Sequence, residues 1–307
     1  MNLNPYILTL DTNILLEMLE PDIYTDEIYN RFLNAIITKI ADIYIPRQVL
    51  NEWNKHKDNN QKRFHDQILK PIKDLELIPE KLKGAKLINE ENAKQELKKQ
   101  SRLYKYTYGL RAKNLDKILN DPFHTEIIER STVSDKLVID FALEKTPPFF
   151  TPPDKKTGAQ QKSETADAVI LFSTYDFFKK NDISSRGKYF ITNNKKDFSE
   201  PNNPSNIHEN LNQYISEVDF EFTNNIKYVL NTIIPDNFPL IDYTEPNPEL
   251  YVTDDFFVSC KNCNEEVHKN VDSFIKGNKY NEYHYWMKCR SCGSEWNTGD
   301  SIDDFAN

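Results

Sequence analysis

Four carboxylates recur at matching places in the first two thirds of the chain. Asp11 ends the apolar run PYILTL, and Glu52 lies on the stretch after IYIP. Asp167 stands near the start of ETADAVILFSTY, and Asp197 follows KYFITNN. Carboxylates crowded into a small volume repel one another and shift each other's pKa. A hard divalent cation removes that repulsion, and Mg²⁺ or Mn²⁺ prefers oxygen ligands. One or two such ions activate water and stabilise in-line displacement at a phosphodiester. Thr12, Asn13, Thr192 and Asn194 lie beside these acids and can orient ligands or a bound water. Singly, each acid has an ordinary explanation: Asp11 and Asp197 as caps or turn residues, Glu52 as a solvated helix residue. The ordered set is more specific than any member.

A second set lies near the other end. Cys260 and Cys263 form one C-x₂-C pair and Cys289 and Cys292 another, with 25 residues between the pairs. Two such knuckles read as one tetrahedral Zn²⁺ site, and four thiolates leave no open position, so the ion is structural. The intervening residues alternate polar and apolar, as a β-hairpin does, and the segment resembles a zinc ribbon. Trp286 and Trp296 are expected to fill its small core, with His268 and His284 as packing or surface residues. Its acids, among them Glu265, Glu266, Asp272 and Glu295, outnumber its basic residues, which disfavours phosphate contact and leaves a protein partner open.

Residues 81–117 hold 11 Lys or Arg against 4 acids. Lys94, Lys98, Arg102 and Lys105 fall at helical spacing on one side, with Tyr104, Tyr106 and Tyr108 among them. Such a stripe can neutralise phosphates while the tyrosines stack on bases, or it can be a solvated helix face.

These groups must be positioned by regular elements. Short β-prone runs at 5–10, 43–46, 188–194 and 219–223 read as buried strands. Helical patterns cover 13–20, 25–41, 125–145 and 164–180, and a long polar helical arm runs from about 54 to 120. Strands separated by helices predict a parallel sheet with helices on both faces, a three-layer α/β/α domain with a helical insertion. Ligands bind beyond the carboxyl ends of such strands, where Asp11, Glu52 and Asp197 lie. The Pro-rich stretch at 146–163 reads as a loop. The domain is placed at 1–235, a linker at 236–255, and the ribbon at 256–307.

Composition narrows the function classes. With 38% hydrophobic and 28% charged residues the chain is globular. A formal net charge of −9 argues against non-specific coating of nucleic acid. No apolar run suffices for a membrane span, and the N-terminal residues lack a basic n-region. Four cysteines are too few for a disulfide scaffold, so a cytoplasmic protein is expected.

The segments ILTLDTNILLE, YIPRQVLNEW, ETADAVILFSTY and YFITNNKKDF together resemble the PIN-like nucleases, a match covering roughly residues 5–200 apart from the arm. The resemblance implies a metal-dependent endoribonuclease in which Asp11, Glu52, Asp167 and Asp197 bind one or two Mg²⁺ or Mn²⁺. The attacking water would leave a 5′-phosphate and a 3′-hydroxyl. Glu164, one helical turn before Asp167, joins the site or caps the helix. Toxin, RNA-processing and phage-defence roles fit this reading. The alternatives are a non-cutting PIN-like scaffold for RNA or protein, and a nuclease acting on DNA.

Overall fold

The computed structural model describes residues 4–58, 90–149, 165–235, 238–243, 251, 253–277 and 283–301. The chain divides into two compact units, Met1–Asn54 with Leu115–Tyr243, and Lys55–Asn114 with Thr244–Asn307.

The first unit is built on a five-stranded parallel sheet. Strand β1, Tyr6–Leu10, lies at its centre, paired on one side with β2, Ala41–Pro46, and on the other with β4, Lys188–Ile191. Strand β3, Thr125–Ile128, extends the sheet beyond β2, and β7, Phe220–Thr223, extends it beyond β4, giving the order β3-β2-β1-β4-β7. Ile7, Leu8, Thr9 and Leu10 are all buried, as a strand covered on both faces requires. Helices Thr12–Met18, Asp26–Ile37, Thr132–Glu144, Thr165–Lys180, Glu209–Glu217 and Ile226–Ile233 complete the α/β/α layers. A small antiparallel pair, β5 (Ser199–Glu200) with β6 (Asn203–Ile207), follows the turn that carries Asp197.

Two boundaries differ from the sequence pattern. Residues 125–145, expected as one helix, are strand β3 followed by a helix that starts at Thr132. Ser131 makes the break: its Oγ accepts from Ser134 N at 3.1 Å while Ser134 Oγ accepts from Ser131 N at 3.0 Å. This reciprocal cap closes the new helix, and the β-branched TEII before it is free to pair with β2. The helix expected over 25–41 stops at Ile37, because Lys39 turns to φ 59° and Ala41 already belongs to β2. Residues 241–243 are tied to that helix. Buried Asn34 donates from Nδ2 to Ile241 O at 2.7 Å and accepts from Ile241 N at 2.9 Å.

In the second unit the described part of the arm is one helix, Glu90–Leu119, of which residues to Asn114 belong to this unit. The cysteine module has a two-stranded pair, β8 (Phe257–Ser259) with β9 (Glu266–His268). It also has a three-stranded antiparallel sheet of β10 (Ser273–Gly277), β11 (Tyr283–Lys288) and β12 (Glu295–Ser301). The arm packs on this module. Tyr106 stacks on Tyr251 with ring centroids 5.2 Å apart and joins a core with Phe257 and Val271. Gly109 allows the approach, since a Cβ there would sit 2.7 Å from Val271 Cγ2. Arg290, enclosed between Asp58 and Asp272, ties the start of the arm to the module.

Candidate carboxylate and cysteine sites

The carboxylate site forms where β1 and β4 end together. Asp11 N donates to Ile191 O at 3.0 Å, which fixes the two strand ends side by side. The Asp11 side chain is 3% exposed. Its Oδ2 accepts from Thr192 Oγ1 at 2.6 Å and from Asn13 Nδ2 at 2.9 Å. Asn13 is held in turn, its Oδ1 accepting from Asn193 N at 3.2 Å. Thr192 Oγ1 also accepts from Asn194 N at 3.0 Å. One threonine hydroxyl therefore organises both the first acid and the turn that leads to Asp197.

Glu52 lies on the helical residues 47–58 that follow β2, and Thr12 brings it to the same place. Thr12 Oγ1 donates to Glu52 Oε2 at 2.7 Å, and Gln48 Nε2 donates to Glu52 Oε1 at 2.8 Å. Both carboxylate oxygens are oriented without a cation.

Asp167, in the first turn of its helix, is half-buried. Its carboxyl is pushed from 3.8 up to about 8, first by burial and then by the charges of Asp11, Asp197 and Glu52, against one stabilising hydrogen bond with the Asn194 side chain. Asp11 is raised to about 6, again first by burial, although Thr192 and the nearby backbone N–H groups favour its charged form. The four acids thus feel one another electrostatically. Among the described residues no lysine or arginine pairs with Asp11, Glu52 or Asp167. Glu164 lies outside the described residues.

The chemistry of this set suits a hard cation. It is more open than the cysteine set, which among the described residues is the one group of ligand atoms all lying within 4.8 Å of one another. Openness fits Mg²⁺, which keeps several waters and takes only one or two carboxylates directly.

The surroundings include groups that the sequence pattern did not single out. Gln48 sits four residues before Glu52, a helical spacing that does point to it. Glu17, one turn beyond Asn13, lies hidden inside the apolar run ILLEML. It accepts from Tyr24 OH at 3.3 Å and from Asn193 Nδ2, and burial raises its pKa. Tyr24 is pushed up to about 12, chiefly by burial. Nothing near Tyr24 in the sequence marks it.

The four cysteines are free thiols, with Sγ···Sγ distances of 3.6 Å for Cys260–Cys292 and for Cys263–Cys289. A tetrahedron with metal–sulfur bonds of about 2.3 Å has edges of about 3.8 Å, so the spacing fits. The two knuckles are built alike. Asn264 N donates to Cys260 O at 2.9 Å and Gly293 N to Cys289 O at 2.7 Å. Both turning residues have positive φ, 60° and 72°. His268 is 1% exposed and packs against Tyr106, Phe256 and Phe257, away from ligand duty.

The basic stripe of the arm, read from the sequence as either a phosphate-contacting or a solvated face, meets carboxylates of the module. Arg102 Nη2 and Nε reach Glu266 at 2.8 and 3.1 Å, and Arg102 also pairs with Asp254. Lys105 pairs with Glu265, and Lys98 lies 3.5 Å from Asp254. Arg102 and Lys105 thus hold the arm to the acidic module, while Lys98 stays exposed. The side chain of Lys94 lies outside the described residues.

A family model described as PIN domain matches residues 8–198. No curated protein and no solved structure matches the chain.

Proposed function

The chain belongs to the PIN domain family, a nuclease-type domain, and from that premise we propose that it is a metal-dependent endoribonuclease. Asp11, Glu52, Asp167 and Asp197 are its catalytic ligands. The observation that carries this reading is Asp167, whose pKa is raised by burial and by the charges of Asp11, Asp197 and Glu52, while among the described residues no lysine or arginine pairs with Asp167 itself. A protein keeps such repulsion where a cation offsets it. A bound Mg²⁺ or Mn²⁺ would lower the pKa of a water and stabilise the charge that develops at the phosphate.

The chain's own residues prepare that step. Thr192 and Asn13 hold the Asp11 carboxylate, and Thr12 and Gln48 hold that of Glu52. Asn194 steadies Asp167. These three acids are thereby aimed before an ion arrives, which lowers the cost of ordering them. We assign Zn²⁺ to the four cysteines, in a structural role. The site of action is proposed to be the cytoplasm, where free thiols persist. No described helix is long and apolar enough to cross a membrane.

The test is cleavage of labelled single-stranded and structured RNA with Mn²⁺, wild type beside Asp11→Asn. Metal-dependent products that disappear in the variant are expected. Absence of cutting by metal-loaded wild type on varied RNA would overturn the reading: cutting of DNA alone would identify a DNA nuclease, and no cutting of either would leave a binding scaffold.

A further inference from the structure

We propose that the cysteine module carries a binding groove for an unpaired stretch of RNA, with Trp296 and Tyr285 as stacking surfaces and Lys261 and Lys269 as phosphate partners. The choice of RNA rests on the proposed function; the groove itself does not involve the carboxylate site.

A groove of about 580 Å³ opens on this module. Its floor is one face of the three-stranded sheet. Ser273 pairs with Met287, and Met287 with Trp296, so the three stand in one row across the strands. Tyr285 is two residues before Met287 and shares its face. One side of Trp296 packs on the core formed by Met287, Val267 and the buried cysteines Cys260 and Cys289. Its ring is therefore held rigid while it also lines the groove, and rigidity lowers the entropic cost of stacking.

The charge around the groove is the second, independent observation. Lys261 and Lys269 line it and are exposed, and among the described residues no carboxylate lines it. Neither lysine side chain makes a hydrogen bond or ion pair among the described residues. Three of the module's acids are engaged elsewhere: Glu265 and Glu266 on Lys105 and Arg102, and Asp272 on Arg290. An acidic composition thus leaves room for a cationic groove on this face.

Two unspent ammonium groups beside two aromatic rings fit a ligand that has both negative charges and flat π-faces. Unpaired nucleotides have both, while a duplex hides its bases in the stack. An apolar peptide would leave the lysines without partners, and an acidic peptide would leave the rings without stacking partners.

The experiment is binding of a fluorescent uridylate ten-mer to the full zinc-loaded chain, without Mg²⁺ or Mn²⁺, by anisotropy. Trp296→Leu should weaken binding about tenfold, as loss of a stacked base does. The exposed double variant K261E/K269E should weaken it at least as much and flatten the salt slope by about 1.4, for two phosphates at about 0.7 each. Unchanged affinity in the lysine double variant, whose surface positions spare the fold, would overturn the proposal. So would equal wild-type binding to a duplex, and tighter binding to a thymidylate ten-mer would overturn the assignment to RNA. Cleavage is scored separately: binding lost in the groove variants without any cleavage by wild type would sink the nuclease and keep the groove, and the converse pattern would do the reverse.

Discussion

Asp167 concentrates the electrostatic cost of the carboxylate site. Its folded pKa is raised from 3.8 to about 8. A raised acid favours folding while it is protonated, so that contribution is present below about pH 4 and is lost as pH rises through about 8. Asp11, raised to about 6, acts in the same direction over a lower range. Metal-free protein should therefore lose melting temperature between pH 6 and 9, and Mn²⁺ should restore more of it at pH 9 than at pH 6. Mn²⁺ affinity should rise up to about tenfold per pH unit below pH 8, as ligand protons are displaced. Asp167→Asn should melt higher than wild type at pH 9 without metal and gain little from Mn²⁺. Calorimetry across this range checks both, and a variant that still gains the full Mn²⁺ shift would remove Asp167 from the ligand set. The four acids were legible because each follows a strand or opens a helix with a recognisable pattern. Glu17, Tyr24 and Asn193 were not, because their partnership depends on the loop after β4 lying over the helix after β1.

Two short features decide how secondary structure is cut and packed. Ser131 ends an extended run and starts a helix, and its Oγ also donates to Asp176 Oδ2 at 2.6 Å. Ser131→Ala should cost about 1 kcal/mol for the cap, and more for buried Asp176 left short of a partner. Urea denaturation measures it, and a loss under about 0.3 kcal/mol would mean that the cap does not set the boundary. Gly109 poses the opposite case. In an isolated helix, Gly→Ala gains about 1 kcal/mol. Here a Cβ would meet Val271 at 2.7 Å. Gly109→Ala should therefore destabilise the second unit, read by hydrogen exchange over 98–113, and a stabilised variant would show that the close approach is not needed. The periodicity of the arm revealed a helix. It did not reveal which face would be covered, since lysines on a helix suit solvent, phosphate or carboxylate equally.

The two units hold themselves together by different means. The first has a large apolar core around its parallel sheet. The second relies on a small core, a ring of ion pairs and the cysteine cluster, so removal of the proposed zinc should cost it most of its stability. A zinc chelator should strip exchange protection from β8–β12 and from the arm while the β1–β4 core stays protected. Uniform loss in both would contradict this. Acid should act on the same unit through His268. Burial lowers its pKa below 6.5, so its stability contribution is present above that value and is lost as pH falls through the folded value. The neutral ring donates from Nε2 to Tyr251 O at 2.8 Å and accepts at Nδ1 from Asn270 N at 3.1 Å, a pattern that protonation breaks. His268→Gln should therefore flatten the pH dependence of protection in β9 between pH 5 and 7.

The amino-acid pattern was enough to place four of the five strands of the parallel sheet, the acids beside their ends and the two cysteine knuckles. Each of these is written in a few neighbouring residues, through alternation, caps and fixed spacing. Folding alone chose partners across distance. Arg102 meets Glu266 across 164 positions, and Thr192 meets Asp11 across 181. Local propensities carry no information about such pairs. Packing selects them from many possible matches of charge and shape, and it left Lys261 and Lys269 facing an open groove while turning Arg102 and Lys105 of the arm onto carboxylates.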